Sequence, residues 1–174
     1  ADAGTIISMR AKGAPLAVIM SIYGISNLGV IARADSGIKT IKDVVGKNIA
    51  VTPGDALTQV FPALLAANGI TREQVNLQFM DPAAKVVSVL AGKSHALLGG
   101  IDDQTITIEA KGVKTSVLRF ADYGVNTLSV SAFTSLDKIK KNPELVRRFV
   151  HATQRSWEEA RKDPVAAVEV AMSA

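Results

Sequence analysis

Short apolar runs bounded by Gly, Pro or small polar residues alternate with stretches of helical periodicity along the whole chain. That alternation confines the fold to the α/β class with a largely parallel sheet. The runs are Leu16–Met20, Gly29–Arg33, Ile49–Val51, Val75–Phe79, His95–Leu98, Thr115–Phe120 and Thr127–Phe133. Helical patterns occupy Thr5–Ala11, Ile41–Val45, Leu57–Asn68, Pro82–Leu90 and Ile101–Ala110. Two more open at Asn142-Pro143 and Asp163-Pro164, where Pro suits the first helical position. Leu16–Met20 is continuously apolar and reads as a strand buried on both faces. Ala83, Val86, Val87 and Leu90 form the expected buried stripe of one helix, and Val146, Phe149, Val150, Thr153, Trp157 and Ala160 that of another. Pro62 should bend the helix that contains it.

The stretch from Lys47 to Thr58 concentrates the chemistry. Ile49, Ala50 and Val51 make a buried strand, Pro53-Gly54 a tight turn, and Asp55 the cap of the helix that follows. A strand that feeds a helix through a Gly turn aims unpaired backbone N–H groups at one electropositive spot. In an open α/β sheet that spot lies at the carboxyl ends of the strands, where ligands collect. Other loops expected at that edge hold Asp2-Ala3-Gly4-Thr5, Ser21-Ile22-Tyr23, Gly100-Ile101-Asp102-Asp103 and Asp122-Tyr123-Gly124.

Composition removes several classes. The 174 residues lack cysteine, which excludes disulfides and thiolate chemistry. Net charge is +4, but Lys and Arg are dispersed and aromatics make up only 5%, so the chain offers no platform for stacking nucleic-acid bases. No apolar run approaches the ~20 residues that span a bilayer. The chain shows no basic n-region followed by an apolar h-region, and both ends read as cut. Gly92-Lys93-Ser94 resembles the end of a phosphate-binding loop, but Val87 stands where its first Gly belongs. His95 and His151 are isolated in apolar settings, there is no His/Cys cluster for zinc, and adjacent Asp102 and Asp103 diverge on a helix.

Several stretches, in this order, resemble the nitrate/sulfonate/taurine-type solute-binding proteins of ABC importers, a group that includes binders of thiamine-pyrimidine precursors. They are Asp2-Ala3-Gly4, the strand ending at Tyr23, Ile38–Gly54, Leu64–Ile70, Val89–Lys93, Asp122-Tyr123-Gly124 and Asn142–Val146. The resemblance implies a two-lobed, periplasmic-binding-protein-like (type II) fold with mainly parallel sheets, closing on its ligand by hinge motion. It puts residues 1–33 in part of lobe 1 and its crossover, 34–118 in lobe 2, and 119–174 in the return to lobe 1 and the C-terminal helices. The opening strands of lobe 1 would precede Ala1.

It also implies a binding module without catalysis or cofactor, capturing a small polar solute outside the inner membrane, free or lipid-anchored, and passing it to ABC permease subunits. The expected ligand contacts are Asp2, Gly4, Thr5, Tyr23, Thr52, Gly54, Asp55, Ala56, Thr58, Asp102, Asp103 and Tyr123. Gly54, Asp55 and Ala56 would contribute backbone amides. The turn after the central strand usually carries a small hydroxyl residue after Gly, and Asp55 departs from this. With Asp102 and Asp103 it favours a neutral or cationic solute, unless Asp55 is spent as the helix cap. Two alternatives are an enzyme on the same scaffold, as in pyrimidine biosynthesis, and the effector domain of a transcriptional regulator.

Overall fold

A computed structural model describes residues 3–173. Asp2, one of the expected contacts, lies outside them. The element order is α1 (Ala3–Ala11), β1 (Leu16–Ser21), β2 (Leu28–Arg33), β3 (Asn48–Val51), α2 (Ala56–Ala67), β4 (Asn76–Phe79), α3 (Pro82–Leu90), β5 (Ala96–Gly100), α4 (Gln104–Glu109), β6 (Thr115–Arg119), β7 (Ser131–Ser135), α5 (Leu136–Lys141), α6 (Pro143–Lys162) and α7 (Pro164–Ser173), with short 3-10 turns between.

The class is α/β, as the alternation requires. Five strands form one sheet in the order β4-β3-β5-β2-β6. β3 pairs in parallel with β4 and β5. β2 runs the other way and pairs antiparallel with both β5 and β6. The sheet is therefore mixed but mainly parallel in direction: β4, β3, β5 and β6 run one way, and β2, inserted between β5 and β6, runs against them. A second sheet is the antiparallel pair β1-β7, registered from Leu16↔Ser135 to Ser21↔Ser131.

Alternation along the central strands divides the core in two. Val30, Ile49, Val51 and Leu98 face α2, which supplies Phe61, Leu64 and Leu65. Ile31, Ala50 and Leu97 face the other way, toward Val89 of α3 and Ile108 of α4. Phe120 stacks on Phe61 with ring centroids 6.2 Å apart. α2 runs on through Pro62 and ends at Gly69, whose φ of 71° returns the chain so that Ile70 N–H reaches Leu65 O at 2.9 Å.

Four expectations change on folding. Among the described residues β1 has β7 as its one strand partner, and Val18 is 39% exposed, so Leu16–Met20 is not buried on both faces. The strand expected at Thr127–Phe133 begins only at Ser131; before it, Ser129 turns its hydroxyl to Asn27 Oδ1, across the chain, instead of continuing the ladder with β1. α3 is turned partly away from the expected stripe, of which Val86 and Leu90 still pack against the core. Lys85 and Val89 face the sheet, while Ala83 and Val87 are exposed. The α6 face containing Phe149 and Trp157 is about half exposed, at 51% and 53%, because only β1, α5 and α7 pack substantially against it. A groove of about 880 Å³ remains between Met20 and Ile22 on one side and Val150, Trp157, Pro164 and Val168 on the other. Among the described residues no helix is long and apolar enough to cross a membrane.

Candidate functional site

β3 ends at Val51 and the chain turns through Thr52-Pro53-Gly54. Gly54 takes φ 74°, a left-handed value that residues with a Cβ avoid. Asp55 then caps α2: its Oδ1 accepts the Leu57 N–H at 2.6 Å. Thr58 Oγ1 donates to Thr52 O at 2.8 Å, and Asp55 N–H donates to the same carbonyl at 3.3 Å. The loop is thus tied by its own polar groups, as the Lys47–Thr58 stretch requires. Ala56 is the first helical residue, so its amide points out of the helix without an intrahelical acceptor. Thr52 Oγ1 is buried and has no hydrogen-bond partner among the described residues.

β5 lies beside β3 in parallel, so the turn after it emerges at the same sheet edge, about 5 Å away laterally. There Asp102 is gripped from two sides. Tyr23 Oη donates to Oδ2 at 2.8 Å and Asn27 Nδ2 to Oδ1 at 2.6 Å. Ser129 Oγ donates to Asn27 Oδ1, Ile101 N–H to Asn27 O at 2.8 Å, and Ser26 N–H to Asn126 Oδ1 at 2.9 Å. Three segments distant in sequence are therefore stitched together. Desolvation pushes the Asp102 carboxyl up, but the Tyr23 and Asn27 donors outweigh it and hold it below the usual carboxylate value. The same hydrogen bond, with desolvation and the carboxylate charge, raises the Tyr23 phenol.

Lys85, from α3, was not among the expected contacts. It is 2% exposed, and its Nζ donates to Leu98 O at 2.7 Å. Burial lowers its ammonium, and the nearby Asp55 carboxylate partly restores it. Gln104, at the start of α4, lies over Gly99: a Cβ on Gly99 would sit 1.9 Å from Gln104 Oε1. That oxygen is also buried without a partner among the described residues.

The expected residues divide accordingly. Thr52, Gly54, Asp55, Ala56 and Thr58 share one loop, and Tyr23 and Asp102 meet at the neighbouring turn. Asp103 is exposed, and its carbonyl rather than its carboxylate bonds α4, accepting from Thr107 Oγ1 at 3.0 Å. Gly4 and Thr5 lie in the first turn of α1, which packs on β1. Tyr123 is held elsewhere. Asn68, at the far end of α2, donates to Tyr123 O at 2.9 Å, and twelve helical residues put that end about 18 Å from Asp55. The ring packs against the core. His95 accepts the Asn48 N–H on Nδ1 at 3.1 Å, which aligns the starts of β3 and β5. For Lys85 the usable signal was its i, i+4 spacing to Val89, and for Asn27 there was none.

Comparison with known proteins gives a consistent picture. A family model described as NMT1/THI5 like matches residues 1–167. The riboflavin-binding protein RibY of Chloroflexus aurantiacus is 26% identical over 171 residues, covering 97% of this chain and 48% of the relative. A 4-amino-5-hydroxymethyl-2-methylpyrimidine phosphate synthase of Legionella pneumophila is 26% identical over 176 residues, covering 94% and 52%. The chain thus spans about half the length of these relatives. Among solved structures, the periplasmic aliphatic sulphonate-binding protein SsuA of Escherichia coli superposes with a TM-score of 0.81 at 18% identity, over 94% of this chain and 56% of that one. At that identity the likeness establishes the fold.

Proposed function

This chain belongs to the NMT1/THI5-like family, and from that premise we propose that it is the solute-capturing part of an ABC importer. It holds a small polar molecule at the carboxyl edge of the five-stranded sheet and delivers it to permease subunits. The protein works outside the cytoplasmic membrane, free or lipid-anchored. Residues 34–118 form one lobe, residues 1–33 and 119–174 contribute to the other, and β2 is a crossing strand.

The observation that carries this reading is that the α2 N-terminus follows β3 and Asp102, bonded by Tyr23 and Asn27, follows the adjacent parallel strand β5, so both emerge at one sheet edge. Both carboxylates there already accept hydrogen bonds from the protein, Asp55 from its own helix and Asp102 from Tyr23 and Asn27. The edge offers main-chain donors at Gly54 and Ala56, the Thr52 hydroxyl, and acceptor lone pairs on the Tyr23 phenol and Asp102, while the Asp55 N–H is held by Thr52 O. Thr58 builds the loop, and Tyr123 stabilises the far end of α2.

The test is thermal unfolding of the full-length protein with a panel of alkanesulfonates, amines, pyrimidines and flavins, followed by mass analysis of the solute. Binding at a hundred times Kd stabilises by about 2.7 kcal/mol. Saturable stabilisation with the solute recovered unchanged supports capture. A chemically altered solute would favour the enzyme reading suggested by the Legionella pneumophila relative.

A further inference from the structure

The elements fall into two groups. β1 and β7 pair with each other and carry α1, α5 and α6, with α7 packed on α6. β2 to β6 form the other sheet and carry α2, α3 and α4. Among the described residues no helix or strand of one group packs substantially against the other group. Within those residues the chain passes between the groups twice, from β1 to β2 and from β6 to β7. The angle between the sheets is therefore set where these two connections run.

The first connection contains a pivot. Gly24 and Ile25 are exposed, and a Cβ on Gly24 would meet nothing within 4 Å. Just before the pivot the chain still belongs to the two-stranded sheet, since Ile22 N–H donates to Val130 O at 2.8 Å. Beyond it, Asn27 belongs to the five-stranded sheet, its carbonyl accepting Ile101 N–H at 2.8 Å. Tyr23 Oη reaches over the pivot and donates to Asp102 Oδ2 at 2.8 Å. On the second connection Ser129, buried and next to Val130, donates from Oγ to Asn27 Oδ1. Both ties end on one pair, because Asn27 Nδ2 donates to Asp102 Oδ1 at 2.6 Å. Gly100 leaves room for that pair: a Cβ there would sit 3.1 Å from Asp102 Oδ1 and 3.5 Å from Asn27 Nδ2. A carboxylate accepts without donating, and hydrogen bonds to a charged acceptor are stronger than neutral ones.

We infer that the Asn27–Asp102 pair is a clasp between the two sheets: seated on the five-stranded sheet, it holds Tyr23 from one connection and Ser129 from the other, and these two hydrogen bonds fix the orientation of the sheets. Releasing it lets residues 24 and 25 absorb a rotation of one sheet against the other, as hinge residues do. Asn27 and Asp102 are positioning residues in this role. The inference goes beyond the solute-capture reading and does not depend on it, since neither the geometry nor its test involves a solute.

The test is a pair of spin labels, one in each group. These 174 residues contain no cysteine, so Lys93→Cys, exposed between α3 and β5, and Lys140→Cys, exposed on α5, take the labels. The label-to-label distance, measured by pulsed electron paramagnetic resonance without solute, should be narrowly distributed in the labelled parent. Tyr23→Phe deletes one hydroxyl and should shift or broaden that distance by more than about 2 Å, the scale of a domain rearrangement. Asn27→Asp sets two carboxylates against each other and should do the same. Combining Asn27→Asp with Asp102→Asn exchanges donor for acceptor. The amide at 102 then donates to the carboxylate at 27, Ser129 keeps an acceptor, and Tyr23 donates to the amide oxygen. This double variant should restore the parental distribution. A role confined to local stability would lower Tm without moving the labels. A broad parental distribution, an unchanged distance in Tyr23→Phe, or a double variant no closer to the parent than Asn27→Asp alone overturns the inference. Solute capture stands in each of those cases, and a failure to find any solute leaves the clasp standing.

Discussion

Lys85 carries a charge that its surroundings penalise. Burial lowers its pKa, so the folded protein holds that proton less tightly than the unfolded chain does. Between the folded value and the ordinary value of 10.5 the unfolded state binds more protons, and linkage then makes unfolding harder as pH rises. The stability of wild-type protein relative to Lys85→Met should accordingly increase between pH 7 and pH 10, as read by urea denaturation. Asp102 gives a slope of the same sign in the acid range, for the opposite reason: its charged form is favoured rather than penalised. Its carboxyl is held below 3.8, so its stabilising contribution is present above that value and is lost as pH falls through the folded pKa. Tyr23→Phe removes one donor. The cost should be about 1 kcal/mol at neutral pH, because the pair is solvent-accessible. Acid unfolding of this variant should begin at a higher pH than in the wild type.

At the scale of the element, α2 is set by its first turn. Asp55→Ala deletes the cap to the Leu57 amide and should destabilise by about 1 kcal/mol in denaturant titrations. Gly54→Ala should cost about 1–2 kcal/mol for a different reason, the left-handed φ that only Gly adopts freely. Helix starts like these were legible in the sequence, since Asp55 and the Asp81-Pro82 pair act locally and are found capping as expected. Helix rotation was less legible. In α3 several small or apolar residues could have formed the stripe, and the observed phase puts a lysine inside, where its ammonium donates a hydrogen bond to Leu98 O.

The molecule as a whole is unevenly consolidated. β3 and β5 are buried on both faces, whereas β1 and β7 form a two-stranded ribbon, and the α6 and α7 faces expose Phe149, Trp157, Val165 and Val168. An isolated pair of strands is marginal in water. Hydrogen exchange on this 174-residue chain should therefore protect the amides of β3 and β5 most, and release those of β1, β7 and α7 first. Comparable protection in both sheets would contradict this division. The sole tryptophan, Trp157, should be readily quenched by acrylamide.

The sequence alone determined what depends on neighbours in the chain. The α/β class, the strand–turn–helix at Lys47–Thr58, the Gly and Pro punctuation and the capping aspartates all follow from local periodicity and backbone preference. The tertiary structure decided what depends on residues far apart. β2 reverses the sheet direction, Asn27 and Tyr23 meet Asp102 across more than seventy residues, Tyr123 is drawn to the far end of α2, and Lys85 is carried beneath the sheet edge. No local pattern encodes those pairings. A long-range hydrogen bond or a buried charge is chosen by which surfaces pack together, and desolvation then sets its protonation.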